Sequence, residues 1–255
     1  MIKEIIRKII KNTFLEKIAD KLYKIYSKKT LSEEYNIQTI KIMKTILRKD
    51  SCCVDIGCHE GLFLKEFVRL SPKGTHYAIE PIPHLYTELT NTYAKNKNLK
   101  LFQLALSETK GESSFQYVVS NPGYSGLRQR RYDRPNEQIQ EIKVRTDLLD
   151  NIIHEEDQIN FIKIDVEGAE LQVLEGAVKT IKRCLPTIVF EHGLGGSDHY
   201  GTKPEDIHEL LVQTCGLRLF VMSDWLKSKG KNSLTLDEFK NQYYNGKNFY
   251  FMASL

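Results

Sequence analysis

Short apolar runs alternate along most of the chain with segments in which apolar residues recur at helical spacing. Beyond residue 50, this alternation is typical of strands that are each followed by a helix. It predicts an α/β fold with a mostly parallel sheet and helices on both of its faces. The runs that read as core strands lie near residues 52–55, 75–80, 99–106, 159–165, 186–191, 217–222 and 248–253.

Two further runs break this alternation between the third and fourth core strands. Residues 113–119 and 139–145 have the composition of strands and predict an inserted β-hairpin. The segment between them, residues 120–135, is long for a loop and rich in Gly, Tyr and Arg, which suits a sugar or an anionic substrate. We interpret it as a substrate loop or lid or, with equal weight, as a flexible surface insertion. A glycine-rich loop over residues 193–201 is expected to close over substrate.

The N-terminal part of the chain has a different pattern. In residues 2–26, Ile and Leu recur at helical spacing with lysines between them, and residues 30–33 have the spacing of a capping box before a helix to about residue 49. The first helix can lie on an anionic membrane, pack on its own domain or pack on a partner subunit. We divide the chain into an N-terminal helical segment, residues 1–49, and a main domain, residues 50–255.

Charge and composition exclude several classes of protein. Nine Lys or Arg against three acidic residues give residues 1–29 a charge of +6, which leaves −2 for the rest of a chain with net charge +4. A main domain that is not basic is a poor match to nucleic acid, so no nucleic-acid partner is expected. Five cysteines, an odd number with no C-x-x-C pair, indicate a reducing compartment.

The same composition bears on location. No apolar run reaches the roughly 20 residues that span a bilayer. The N-terminus also lacks the apolar core and cleavage site of a signal peptide. We therefore expect a cytoplasmic protein, with residues 1–29 able to hold it at the inner face of the membrane.

The first core strand runs directly into a glycine turn that has the character of a ligand site. Asp55 ends the apolar run, and Gly57 and Gly61 follow four positions apart. Glycines let the backbone turn sharply and approach a ligand, and the N-terminus of the next helix suits a carboxylate or phosphate. Glu80 and Pro81 end the second strand, where an acidic residue takes the ribose hydroxyls of a nucleotide. The alternatives are a structural turn and a solvated strand-end acid.

The spacing of this turn selects among nucleotide ligands. Cys58 and His59 occupy the region where the Gly-x-Gly-x-x-Gly fingerprint of dinucleotide sites needs its second glycine. The Asp55 carboxylate disfavours a pyrophosphate and suits an amino group. A nucleoside that carries an amino acid meets both conditions, so the expected cofactor is S-adenosylmethionine.

Motifs between about residues 50 and 195 follow the order of one known family. They are Val54-Asp55-Ile56-Gly57, Ala78-Ile79-Glu80-Pro81, Gln103-Leu104-Ala105-Leu106-Ser107, residues 161–170 (FIKIDVEGAE), residues 171–177 (LQVLEGA) and Ile188-Val189-Phe190-Glu191. On these residues the chain resembles the FkbM family of S-adenosylmethionine-dependent methyltransferases, with one departure at His59, where the family more often has Asn. The resemblance implies a Rossmann-like class I methyltransferase fold with seven strands, the last antiparallel. It also implies O-methylation of a hydroxyl on a sugar, a glycan or another small metabolite.

Further binding residues follow from the positions of the predicted strand ends. Gln103 and Ala105 are expected at the adenine ring, which needs an apolar slot and an edge-on hydrogen-bond partner. For Gln103, a plain surface position is the alternative. Asp165 and Glu167 follow the fourth core strand, at the edge where open α/β sheets bind their ligands.

A hydroxyl is a weak nucleophile, so we expect a base to take its proton. The main candidates are His192, Asp165 and Glu191, and Glu167 and His199 lie nearby in the sequence. His192 has the most suitable ordinary pKa, about 6.5, although a histidine that is hydrogen-bonded at a strand end is the structural alternative. As an alternative, Asp165, Glu191 and His192 could bind a divalent ion that activates the hydroxyl. We do not include a metal in the prediction.

Two rival functions stay open at this point. One is a nicotinamide-dependent oxidoreductase on a similar fold, which Asp55 and the missing third glycine disfavour. The other is a non-catalytic binding or scaffold protein that keeps the fold and uses its basic N-terminal helix.

Overall fold

The computed structural model describes residues 31–132 and 134–255. The amphipathic helix expected over residues 2–26, the capping residue Thr30 and the membrane contact through residues 1–29 lie outside these ranges and stay predictions. Residues 31–46 are helical (α1), so this helix ends somewhat before the predicted residue 49. Residues Thr39–Leu255 form one compact unit. Among the described helices, none has the length and apolar character that a bilayer span requires.

Strands in the described ranges form two sheets. In chain order they are β1 (Cys52–Ile56), β2 (His76–Ile79), β3 (Leu99–Phe102), β4 (Ala105–Leu106), β5 (Gly111–Val118), β6 (Ile139–Asp147), β7 (Ile159–Ile164), β8 (Thr187–Glu191), β9 (Arg218–Phe220) and β10 (Tyr250–Ser254). The main sheet has seven strands in the order β3-β2-β1-β7-β8-β10-β9. Strand β10 is antiparallel to β8 and β9, and the other pairs are parallel. The predicted fold class is confirmed.

Helices connect the strands of the main sheet. They are α2 (Leu62–Leu70), α3 (Pro83–Thr92), α4 (Leu149–Ile152), α5 (Glu170–Glu175), α6 (Val178–Cys184), α7 (Pro204–His208), α8 (Met222–Ser228) and α9 (Leu236–Tyr244). Short 3-10 turns cover Pro122–Tyr124 and Ser197–Tyr200, and α7 continues as a π-helical segment over Glu209–Thr214. The lone tryptophan, Trp225, lies on α8.

The second sheet contains the predicted hairpin. Strands β5 and β6 pair antiparallel from Gly111↔Thr146 to Val118↔Ile139. The expectation of one continuous strand over residues 99–106 is wrong. That segment divides between the sheets, because β3 pairs with β2 while Ala105 pairs in parallel with Thr146 at the end of β6.

The main sheet is buried on both faces where it carries the site. Val54 and Ile162 on one face of the central strands, and Cys53, Phe161 and Val189 on the other, have 1% or less of their surface exposed. Residues buried on both sides give continuous apolar runs, as parallel strands require. Because β2, β1, β7 and β8 are parallel neighbours, their carboxyl ends lie along one edge of the sheet. Open α/β sheets bind ligands at this edge.

Candidate active site

The turn after β1 has the backbone conformation that its glycines predict. Gly57 has φ +71°, His59 φ +48° and Gly61 φ +78°, all in the left-handed region. A Cβ at Gly57 would lie 1.9 Å from the backbone oxygen of Asp165, so the turn packs too closely on the end of β7 for any side chain. Gly61 caps α2 without a side-chain hydrogen bond. The turn thus leads into a helix N-terminus whose first N–H groups suit a ligand.

Glu80 lies beside this turn with only 3% of its surface exposed. Its carboxyl oxygens accept hydrogen bonds from the backbone N–H of His59 at 2.8 Å and of Ile82 at 2.9 Å. Burial raises the pKa of Glu80 from 4.5 to about 7, against the lowering effect of these two N–H groups. Each oxygen keeps a second lone pair, so Glu80 can hold the turn in place and still accept from a ligand hydroxyl. Pro81 is half-buried next to it.

Lys163 links the ends of β1 and β7. Its Nζ lies 3.3 Å from Asp165 Oδ2 and 3.9 Å from Asp55 Oδ1, and it donates to the backbone oxygen of Gly57 at 3.2 Å. Burial lowers the pKa of Lys163, but Asp165 and Asp55 outweigh it and raise the pKa overall. Asp55 is fully buried, and that burial raises its pKa to about 6 although Lys163 opposes the shift.

Asp165, Glu167 and Glu191 form a group that we call the acid cluster, with one carboxylate oxygen of each within 4.8 Å of the others. Burial and the neighbouring Asp165 raise the pKa of Glu191 well above its ordinary range. Asp165 behaves in the opposite way. Burial would raise its pKa, but Lys163 and the hydroxyl of Tyr250, which donates to Oδ2, bring the pKa below the ordinary value. Glu191 therefore holds a proton more readily than Asp165, which is the ionised member of the pair near neutral pH.

The β5–β6 loop (residues 119–138, with Asp133 outside the described ranges) reaches this cluster through Arg130. The guanidinium pairs with Glu167 and lies 3.9 Å from Glu191 Oε1. Its Nε donates to the backbone oxygen of Gly195 at 3.3 Å, and the Arg131 N–H donates to the same oxygen at 3.1 Å. The two loops that were expected around the substrate are thus tied to each other and to the acid cluster.

His192 is in different surroundings. It is fully buried, and its ring stacks on Tyr243 at 4.6 Å and on Phe239 at 5.7 Å between centroids. Burial lowers its pKa to about 3. Neither ring nitrogen has a hydrogen-bond partner within the described chain. The structure does not bring this imidazole into hydrogen-bond contact with the acid cluster.

The two residues predicted at the adenine ring also differ in exposure. Gln103 is exposed, in the short link between β3 and β4. Ala105 is buried in a small apolar cluster with Ile82, Leu85 and Phe115. Their predicted role as an adenine site stays a prediction.

Lys163, Arg130 and Tyr250 contact the acid cluster but were not among the residues predicted from the sequence. Lys163 carries a detectable signal, because it interrupts an apolar strand and lies two residues before Asp165, on the same side of β7. Arg130 stood out only as one of several arginines in a long loop, and Tyr250 as one aromatic residue in a core strand. Tertiary structure alone brings these two to the acid cluster.

Comparison with known proteins agrees with this architecture. A family model described as the methyltransferase FkbM domain matches residues 55–219. The chain is 25% identical over 160 residues to the 2-O-methyltransferase NoeI of Sinorhizobium fredii (strain NBRC 101917 / NGR234), covering 56% of this chain and 64% of NoeI. It is 32% identical over 152 residues to the methyltransferase sdnD of Sordaria araneosa, covering 48% of this chain and 59% of sdnD. The chain thus spans less than two thirds of either relative.

A solved structure shares the fold at low sequence identity. The FkbM methyltransferase of Methylobacillus flagellatus KT superposes with a TM-score of 0.51 and 16% identity, over 82% of this chain and 44% of that one. The family match covers more than half of the chain and includes both the glycine turn and the acid cluster. The chain belongs to the FkbM methyltransferase family.

Proposed function

We propose that this protein is an S-adenosylmethionine-dependent O-methyltransferase whose acceptor is a hydroxyl of a sugar, a glycan or another small metabolite. One observation carries the proposal. The glycine turn and Glu80, at the ends of β1 and β2, lie on the same sheet edge as the acid cluster at the ends of β7 and β8. The similarity to NoeI, which is named a 2-O-methyltransferase, supports a hydroxyl acceptor.

The residues at β1 and β2 fit the proposed cofactor. The left-handed turn at Gly57 and Gly61 packs directly on the backbone of Asp165 and on Leu89, which fixes the start of α2 at the sheet edge. His59 Nε2 is a buried ring nitrogen with no partner among the described residues. Glu80 would take the ribose hydroxyls, and the turn with the start of α2 would hold the amino-acid part. Gln103 and Ala105 would border the adenine. When bound, S-adenosylmethionine supplies an electrophilic methyl group.

The acid cluster supplies the base in this proposal. Asp165 is ionised near neutral pH and partly exposed, with a quarter of its side-chain surface accessible. Lys163 and Tyr250 both engage Oδ2, and we assign the proton of the acceptor hydroxyl to Oδ1. The pKa of Glu191 is raised well above its ordinary range and a side-chain hydrogen bond joins it to Asp165, so we assign Glu191 as a neighbouring donor rather than as a second base.

The surroundings of His192 weigh against it as the base. An imidazole that is fully buried with a pKa of about 3 binds a proton poorly at neutral pH.

Orientation also lowers the barrier to methyl transfer. Holding the acceptor oxygen in line with the methyl group can supply several kcal/mol, up to roughly 7–11 in ideal cases.

The test is transfer of tritiated methyl from S-adenosylmethionine to a panel of neutral mono- to tetrasaccharides. The wild-type protein is compared with Asp165→Asn and with Asp224→Asn, an exposed aspartate on α8. We expect transfer by the wild type and the Asp224 variant, and a loss of about a hundredfold or more for Asp165→Asn. Transfer to amines but to no hydroxyl would contradict the O-methyl assignment.

A further inference from the structure

Arg130 is enclosed by groups from several parts of the fold. Its side chain is 11% exposed and contacts Glu167 after β7, Glu191 at the end of β8 and the backbone oxygen of Gly195. On its own loop, the guanidinium lies over the ring of Tyr124, 5.2 Å from the centroid. An arginine has five N–H donors, and here they face acceptors from elements that are distant in sequence.

Because Arg130 is enclosed in this way, its ion pairs differ from those of an exposed side chain. An exposed ion pair adds little stability, whereas removing one partner of a buried pair is costly because the other charge is left alone. Arg130 lies on one side of the acid cluster, and Lys163 lies at Asp165, on the other. Two cations thus balance the cluster, one from the strand that carries Asp165 and one from the loop.

The loop that carries Arg130 also brings aromatic surface to this place. The rings of Tyr124 and Tyr132 stack with centroids 6.2 Å apart. Tyr200, from the glycine-rich loop, accepts a hydrogen bond from the Arg128 N–H at 2.8 Å. Aromatic side chains that present a flat apolar face and a polar tip suit a ring bearing hydroxyl groups.

We propose that Arg130 is a positioning residue for the methyl acceptor: it neutralises Glu167 and fastens the β5–β6 loop onto the acid cluster, so that the loop forms one wall of the acceptor pocket. This inference rests on the proposed function, because it assigns the acceptor to the side of the edge opposite Glu80. Arg130 acts through the loop and through Glu167, and it touches neither the glycine turn nor Glu80.

The test uses the full chain with Arg130→Gln, Arg130→Lys and a matched control, Arg131→Gln. Arg131 is the next residue of the same loop, is exposed, and is tied down through its backbone N–H. Hydrogen exchange of peptides from the β5–β6 loop needs no acceptor. We expect exchange about tenfold faster in Arg130→Gln, largely restored in Arg130→Lys and unchanged in Arg131→Gln.

The second measurement separates positioning from a general structural defect. S-adenosylhomocysteine affinity by calorimetry should stay within about twofold of wild type in all three variants. In methyl transfer to an accepted oligosaccharide, Arg130→Gln should raise the acceptor KM about tenfold, and Arg130→Lys should recover most of that loss.

Three results would overturn the inference. They are wild-type loop exchange in Arg130→Gln, a loss of S-adenosylhomocysteine binding in that variant, and an Arg130→Lys variant no better than Arg130→Gln. A wild-type protein that binds no S-adenosylhomocysteine would instead count against the proposed function. The exchange comparison would then still decide whether Arg130 fastens the loop.

Discussion

The two halves of the strand-end edge are built in different ways. The half at β1 and β2, which we call the cofactor side, comes from one short stretch of chain, and backbone N–H groups hold its acid, Glu80. The half at β7 and β8, which we call the acceptor side, is assembled from distant residues, and side-chain cations and Tyr250 hold its acids.

This difference shows in the protonation of the two sides. On the cofactor side, burial raises the pKa of Asp55 to about 6 and of Glu80 to about 7. On the acceptor side, Lys163 and Tyr250 overcome burial and lower the pKa of Asp165. Burial raises the pKa of Asp55 and Glu80, and on the acceptor side it also raises that of Glu191. Of these four acids, Asp165 alone has a lowered pKa, because Lys163 and Tyr250 together outweigh burial. The acceptor side is therefore the better place for a base.

The largest expected effect comes from removing the cation that joins the two sides. Lys163→Met leaves Asp55 and Asp165 without their buried partner, and loss of one member of a buried ion pair costs about 3–5 kcal/mol. Urea unfolding should show a loss of that size. Lys100→Met is the matched control, because its amine lies 3.5 Å from Asp157 but is 38% exposed, and it should cost less than about 1 kcal/mol.

A double variant sharpens this result. Adding Asp55→Asn to Lys163→Met removes one of the two stranded carboxylates, so it should recover part of the lost stability. If Lys163→Met proves no more destabilising than Lys100→Met, the bridge between the two sides does not stabilise the fold.

The next effect is the pH dependence of stability that the raised pKa of Glu80 predicts. Glu80 holds a proton up to about pH 7 in the folded protein but loses it near 4.5 when unfolded. Its contribution to stability is therefore present at low pH and is lost as the pH rises through 7. Between pH 5 and 8 the wild-type free energy of unfolding should fall, relative to Glu80→Gln, by on the order of 3 kcal/mol.

Urea unfolding of both proteins at the two pH values measures this difference. Glu88→Gln, at an exposed glutamate on α3, should retain the wild-type slope. Parallel pH curves for wild type and Glu80→Gln would mean that Glu80 is not a proton-holding acid in the folded state.

A smaller effect is expected on cofactor affinity. Glu80→Ala removes the proposed ribose contact and the acceptor that holds the His59 N–H, so S-adenosylmethionine binding should weaken by at least about tenfold, or 1.4 kcal/mol. Calorimetry on this variant and on Glu88→Ala gives the comparison. Equal affinities would remove Glu80 from the ribose site.

The smallest effect is expected at His192, the alternative to Asp165 as the base. Because the imidazole is neutral, buried and unpaired among the described residues, His192→Asn should change methyl transfer by less than about threefold, against a hundredfold or more for a lost base. Initial rates from pH 6 to 9 would show this. A collapse of turnover with cofactor binding intact would restore His192 as the base.

The contrast between the two sides also explains what the sequence could predict. The main strands, the inserted hairpin and the glycine turn followed from local patterns, because strand periodicity and glycine conformations depend on neighbouring residues. The division of residues 99–106 between two sheets did not, since its residues read the same way whichever sheet they join. The pairing of Ala105 with Thr146 is a long-range event.

Site residues divide in the same manner. Asp55 and Glu80 were predicted as site residues because each ends a strand, and Lys163 could have been predicted because it shares a strand face with Asp165. Arg130 and Tyr250 act only through tertiary contacts that join residues far apart in sequence. His192 was selected for its residue type and its position after a strand. Neither feature indicates the rings of Phe239 and Tyr243 that stack on it in the fold.

We infer that the cofactor side binds S-adenosylmethionine. Calorimetric titration of the purified full chain with S-adenosylmethionine, S-adenosylhomocysteine and NAD tests it most directly. We expect the first two to bind and NAD not to bind. Binding of NAD alone would contradict the cofactor assignment from the glycine turn onward, and binding of none of the three by a folded protein would favour a non-catalytic role.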